Sequence, residues 1–142
     1  MILHSNLVDI KNRKIYPVFV SVEDGKIVNI SQTDKPCSTY ILPGFIDAHV
    51  HIESSMLTPY EFSRLALKHG TIATVSDPHE IANVLGIQGV EFMMNSASKT
   101  PFKFYFGAPS CVPATTFETS GAILDTQSVE KLLKQKNIYY LS

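Results

Sequence analysis

The chain has 142 residues, of which 44% are hydrophobic and 18% are charged, and its formal net charge is −1. This composition is typical of a soluble globular protein with one core, and the charge gives no indication of a nucleic acid or a membrane as partner. No apolar run approaches the roughly 20 residues of a membrane-spanning helix, and the first residues do not resemble a secretory signal. Cys37 and Cys111 show no pairing pattern, which favours reduced thiols in a cytoplasmic protein.

The first 42 residues have the β-branched and aromatic patterning of short strands. Asp24-Gly25 is the signal of a tight hairpin turn between two of them. The pattern predicts a small antiparallel sheet that is not stable alone. The predicted strands are residues 3–10, 15–22 and 27–30, followed by a polar loop over 31–38.

After Pro43 the pattern changes to strands that alternate with helices, which predicts βαβ units and a parallel sheet. Because a complete (β/α)8 barrel needs about 250 residues, the chain holds either a smaller fold or a piece of a larger barrel. The strands are predicted at residues 45–51, 71–76, 102–106 and 138–141, and the helices at 59–68, 79–98 and 128–136.

The most informative segment is Asp47-Ala48-His49-Val50-His51, at the end of an apolar run. Alternate residues of a strand face the same side, about 6.6 Å apart, so His49 and His51 can bind one metal ion. Asp47 shares their face and can orient a ligand histidine through its second ring nitrogen. The alternative is that both histidines are hydrogen-bonded polar residues beside a core, and the pattern alone leaves the two interpretations open.

Polar residues also follow the second predicted strand, where Pro78 forces the chain out of the sheet. Asp77, His79 and Glu80 are candidates for metal binding or substrate contact. The structural alternative is that Asp77 caps the next helix and Glu80 interacts with its N-terminal dipole. That alternative is favoured for the two carboxylates, and His79 stays undecided.

The third predicted strand leads into a loop of prolines and small residues, 107–115. Ser110 or its neighbouring backbone groups are candidates for substrate contact, and the alternative is a structural crossover. Cys111 is not expected to be a nucleophile, because no histidine is near it in sequence and inert thiols are commoner. Glu118 is a weaker candidate, and His4 and His69 are expected in surface or capping roles.

Residues 43–51 resemble the first barrel strand of the amidohydrolase superfamily. Together with residues 52–56, 69–71, 77–84 and 109–115, they resemble the adenine deaminase family in particular. The resemblance implies an α/β fold: residues 1–42 as part of a small β-sandwich-like domain, and 43–142 as the first three to four βα units of a metal-dependent (β/α)8 barrel. It implies His49 and His51 as metal ligands and His79 as a further candidate. Asp47, Glu53, Asp77, Glu80 and Ser110 are expected beside the metal or the substrate.

The activity that the resemblance implies is the hydrolytic deamination of adenine to hypoxanthine and ammonia, a reaction of purine salvage. It implies a binuclear site with manganese, or alternatively iron or zinc, and a homo-oligomer acting on a small-molecule substrate. The main acid–base carboxylate is expected beyond Ser142, so the chain is expected to be an N-terminal fragment without activity of its own. Two interpretations stay open: a half-barrel that only binds a metal, a purine or a polypeptide, and an amidohydrolase for another cyclic amide or nucleobase.

Overall fold

A computed structural model describes all residues from Met1 to Ser142. The chain divides into two compact units, Met1–Pro43 and Gly44–Ser142. The boundary predicted from the sequence lies one residue earlier. No helix of the chain combines the length and the apolar character that crossing a membrane requires.

The first unit is a four-stranded sheet in the order β3-β2-β1-β4. Asp24 and Gly25, with φ of 48° and 73°, make the turn between β2 and β3, which confirms the hairpin that the Asp-Gly pair predicts. The sequence predicts a wholly antiparallel sheet, and this is corrected: the short β4 pairs with β1 in the parallel sense. The strands are β1 (Ile2–Asp9), β2 (Lys14–Glu23), β3 (Lys26–Gln32) and β4 (Tyr40–Ile41).

The second unit contains a parallel sheet in the order β5-β6-β7-β8, which confirms the predicted α/β class with a parallel sheet. Its core is built around Phe106, Ile52 and Leu132, each at most 2% exposed. The strands are β5 (Phe45–Asp47), β6 (Thr71–Ser76), β7 (Lys103–Ala108) and β8 (Ile138–Leu141). The helices are α1 (Pro59–Lys68), α2 (His79–Leu85), α3 (Ile87–Ala97) and α4 (Thr126–Leu133), and a 3₁₀ turn covers Glu53–Ser55.

The single helix predicted over 79–98 is wrong, because Gly86 divides it into α2 and α3. Gly86 has φ of 62° and ψ of −142°, a conformation that glycine adopts without a steric penalty. The two helices then pack closely: a Cβ atom on Gly89 would lie 2.7 Å from the carbonyl oxygen of Ile81. Glycine is therefore required both at the break and where α3 meets α2.

The long loop between β7 and α4 is fixed by main-chain hydrogen bonds. The carbonyl oxygen of Asn83 in α2 accepts from the N–H groups of Gly121 at 2.9 Å and Ala122 at 3.2 Å. Leu124 donates to the carbonyl oxygen of Val112 at 2.9 Å. These bonds attach both the start and the end of the loop, and the next helix follows directly with Asp125 as its N-cap.

Candidate metal centre

The two histidines of the His-x-His pattern lie in the loop after β5 and not on the strand. The strand predicted over 45–51 ends at Asp47, because ladder pairing with β6 stops there and only Val50 reaches β6 again, donating to Val75 O at 3.1 Å. The rings still meet: the Nε2 atoms of His49 and His51 are 3.0 Å apart. The loop, and not strand alternation, therefore brings the two imidazoles together.

Asp47 does not contact either imidazole, although the sequence predicts that it orients one of them. Its carboxylate accepts a hydrogen bond from the backbone N–H of His49 at 3.2 Å. The side chain therefore stabilises the turn into the loop, and the predicted orientation of a ligand ring by Asp47 is corrected.

Asp77 at the end of β6 lies between two histidines. Its Oδ1 is 3.3 Å from Nδ1 of His51 and 3.2 Å from Nδ1 of His79. The ligand atoms of these three residues all lie within 4.8 Å of one another. Imidazole nitrogens with a carboxylate oxygen are donors that divalent transition metals accept, so the group has the chemistry of a metal site.

Asp77 is not the helix cap that the sequence favours. The N-cap position of α2 is Pro78, and no side chain caps that helix. Burial would by itself raise the pKa of Asp77, but hydrogen bonds from His79 and Ser142 hold that pKa below its ordinary value. The carboxylate is therefore kept charged beside the two imidazoles.

Glu80 lies in the first turn of α2, as its dipole interpretation predicts, and it also faces the histidines. Its Oε2 is 3.6 Å from Nδ1 of His51 and 3.8 Å from Nδ1 of His79. Its other oxygen accepts a hydrogen bond from Ser54 Oγ at 3.0 Å. Nothing in the sequence pattern indicates this role of Ser54, because the two residues are 26 positions apart.

Glu53 connects the 3₁₀ turn to α2, accepting from the backbone N–H of Ile81 at 3.4 Å. Burial raises the pKa of Glu53 above its ordinary value. Its second oxygen is buried without a hydrogen-bond partner, as are Nδ1 of His51 and Oε2 of Glu80. Buried polar atoms are normally satisfied, and a cation can satisfy such nitrogen and oxygen atoms. The residues present therefore fit a bound metal ion.

The remaining candidates lie outside this cluster. Ser110 donates its hydroxyl hydrogen to the carbonyl oxygen of Ser142, so it supports the end of β8. Cys111 and Glu118 are exposed in the long loop, and His69 stands at the C-cap of α1, as expected. The sequence interpretation missed Tyr140 on β8, whose pKa is raised by burial and then by the charge of Asp77.

Residues 40–141 match the model of the amidohydrolase family. An adenine deaminase of Sulfurovum sp. (strain NBC37-1) is 66% identical over 142 residues, which are 100% of this chain and 27% of that protein. An adenine deaminase of Borreliella afzelii (strain PKo) is 56% identical over 99% of this chain and 26% of its own length. One of Methanosarcina mazei is 52% identical over 96% of this chain and 24% of its length. The chain thus spans about a quarter of the curated relatives it matches.

Proposed function

The chain belongs to the amidohydrolase family, and from this premise we propose that it is part of a metal-dependent adenine deaminase. The reaction is the hydrolysis of adenine to hypoxanthine and ammonia. The observation that carries the proposal is the cluster of His49, His51, Asp77 and His79 in a chain that resembles adenine deaminases along its whole length.

His49 and His51 are the proposed metal ligands, with His79 as a further candidate. Support comes from the 3.0 Å between the Nε2 atoms of the first two, a spacing at which both can bind one ion. Manganese is proposed as the metal, with iron and zinc as alternatives, in a binuclear centre whose other ligands lie outside the 142 residues. When bound by these histidines, the metal would supply Lewis acidity and make a water nucleophile available at neutral pH.

The neighbouring carboxylates hold these rings in place. Asp77 binds the Nδ1 side of His79, which fixes the orientation of that ring. Glu53 and the Ser54–Glu80 hydrogen bond attach the 3₁₀ turn to α2. The carboxylate that moves a proton to the leaving amino group is proposed outside this chain, so the 142 residues alone are expected to be inactive.

A (β/α)8 barrel is the proposed architecture of the whole enzyme, with residues 43–142 as its first units and 1–42 as part of a small β domain. The strands of the parallel sheet are neighbours in chain order, β5-β6-β7-β8. This order is that of a barrel, whereas a doubly wound sheet reverses its order at a switch point. We propose that the enzyme is a cytoplasmic homo-oligomer in purine salvage with adenine as its small-molecule substrate.

The test uses the full-length enzyme with His49→Ala and His51→Ala, and with His69→Ala as the control for an exposed histidine. Both ligand variants are expected to lose metal, measured by elemental analysis, and to stop forming hypoxanthine. Unchanged metal content in both would refute the ligand assignment. The wild-type enzyme could instead leave adenine unchanged and act on another nucleobase or cyclic amide. This result would change the proposed substrate and leave the proposed metal centre as it is.

A further inference from the structure

We propose that Tyr140 contacts the substrate and determines which ring nitrogen the enzyme recognises. Its hydroxyl is the hydrogen-bond donor, and the acceptor is a ring nitrogen of a planar heterocycle such as adenine. The inference deepens the proposed deaminase function and rests on it. It adds a residue that lies outside the histidines and carboxylates of the candidate metal centre.

Asp77, Gly107 and Tyr140 form a row across three neighbouring strands. Ser76 pairs with Phe106 in the register of β6 and β7, so Asp77, the residue after Ser76, continues that register opposite Gly107. Gly107 in turn pairs with Tyr140 in β8. Because paired residues of neighbouring strands point to the same face of a sheet, the three residues share one face.

This row lies on the face of the sheet that the helices do not cover. Phe106 and Ala108, on either side of Gly107 in β7, are 2% and 0% exposed and belong to the core formed with residues of α3 and α4. Side chains alternate along a strand, so Gly107 faces the opposite side. Tyr140 is therefore on the open face, at the sheet edge where Asp77 meets the histidines.

Gly107 makes the room that the ring of Tyr140 occupies. A Cβ atom on Gly107 would lie 2.6 Å from Cε2 and 2.7 Å from Cζ of Tyr140, which is closer than carbon atoms approach. The ring thus extends from β8 over β7, and Cζ, which carries the hydroxyl, lies above Gly107. Neighbouring strands are about 4.8 Å apart, so about one strand spacing separates the hydroxyl from the position of Asp77.

The hydroxyl of Tyr140 has a charged neighbour and no hydrogen bond of its own. Burial, and then the charge of Asp77, raise the pKa of Tyr140, and no hydrogen bond contributes to that pKa. A partly buried tyrosine hydroxyl normally has a partner. The protonated phenol can donate to the lone pair of a ring nitrogen, while the carboxylate accepts from an N–H group of the same ring. Adenine carries both kinds of nitrogen.

The first test compares Tyr140→Phe with Tyr139→Phe in the full-length enzyme. Tyr139 is the matched control, because it is 57% exposed and its ring contacts Tyr105, with 5.1 Å between the centroids. Tyr140→Phe should lower kcat/KM for adenine by about five- to tenfold, the effect of one lost hydrogen bond. Tyr139→Phe should change it by less than about twofold.

The substrates that complete this test are deaza analogues of adenine, each with one ring nitrogen replaced by a C–H group. For the analogue that lacks the recognised nitrogen, Tyr140→Phe and the wild type should have equal kcat/KM, because the hydrogen bond is already absent. A purely structural role would lower kcat/KM equally for adenine and for every analogue, and this result would overturn the inference.

Fluorine NMR gives a measurement that does not depend on turnover. In full-length enzyme containing fluorotyrosine, the resonance of Tyr140 is the one that is absent from Tyr140→Phe. Addition of hypoxanthine should shift this resonance and leave that of Tyr139 unchanged. An unchanged Tyr140 resonance at about 1 mM hypoxanthine, the upper end of ordinary KM values, would overturn the inference. Formation of hypoxanthine by the wild type decides the proposed function separately.

Discussion

Half-buried histidines occur in both compact units, and their neighbours differ. In the first unit His4 stacks on Phe19, with 4.8 Å between ring centroids, and its Nε2 is 3.3 Å from the carbonyl oxygen of Lys35. In the second unit His51 contacts two carboxylates and lies between the rings of His49 and His79. Burial alone therefore does not distinguish a structural histidine from a candidate metal ligand. Neighbouring carboxylates and imidazoles do distinguish them.

The largest effect that tests this difference is expected in the full-length enzyme. If His51 is a metal ligand as proposed, His51→Ala should lower kcat/KM by about 10³-fold or more, because the loss of the ligand would remove several kcal/mol of transition-state stabilisation. His4→Ala is the matched control, since it removes a half-buried imidazole without carboxylate neighbours. Steady-state hypoxanthine formation measures the activity of both variants. Equal losses of activity in His51→Ala and His4→Ala would contradict the different roles assigned to the two histidines.

The cores of the two units give the second comparison. Phe106 is 2% exposed and stacks on Phe104 at 5.6 Å, so Phe106→Ala should lower the free energy of unfolding by about 3–5 kcal/mol. Val20 in the first unit is 1% exposed, and Val20→Ala should cost about 2 kcal/mol because fewer methyl groups are removed. Urea unfolding measures the change in the free energy of unfolding for each variant, and hydrogen exchange shows which unit each substitution destabilises. A larger cost for Val20→Ala would contradict the assignment of the aromatic core.

Local features of the fold were predictable where a few neighbouring residues decide the backbone. Asp24-Gly25 requires positive φ and makes the expected turn, and Thr71–Ser76 forms the expected strand. The apolar spacing continues across Gly86 and so does not indicate the break, although the φ of 62° at this glycine ends the helix. The parallel pairing of β4 with β1 was missed because it joins Asn6 to Tyr40, far apart in sequence.

The candidate site was predictable as a set of residues and not as a geometry. The sequence indicates His51 through its alternation with His49 in an apolar run, and Asp77 and His79 through their position after the predicted strand at 71–76. Whether Asp77 caps a helix or binds an imidazole depends on Pro78 occupying the N-cap position. Contacts such as Ser54 with Glu80 depend on how the 3₁₀ turn meets α2, which no spacing in the sequence indicates.

Glycines give a smaller comparison of the two units. Gly89→Ala places a methyl group against the backbone oxygen of Ile81, so α2 and α3 must separate at a cost of about 1–3 kcal/mol. Gly25 has open space around it and φ of +73°, so Gly25→Ala should cost about 1 kcal/mol from backbone strain alone. Thermal unfolding of both variants checks the order. A cost for Gly89→Ala below that of Gly25→Ala would show that the helix contact is looser than described.

The smallest expected effect is a loss of folding stability at low pH, to which one carboxylate in each unit contributes. The pKa of Asp9 is lowered by hydrogen bonds from Asn12, and that of Asp125 by hydrogen bonds from Ser128. Because both folded-state values lie below the ordinary 3.8, the stabilisation is present above that pH and is lost as the pH falls through the folded pKa. Carboxyl-carbon NMR titrations should give midpoints below 3.8 for both residues, and Asn12→Ala should raise only that of Asp9. A midpoint for Asp9 unchanged by Asn12→Ala would refute the cause given for its pKa.

The main-chain bonds from Gly121 and Ala122 to Asn83 have a consequence for engineering this protein. They join the long loop to the helix that begins with His79 and Glu80, so changes at residues 121–124 are expected to disturb the candidate metal ligands together with the loop. The apex at 114–119 is exposed throughout and is the part that tolerates inserted sequence.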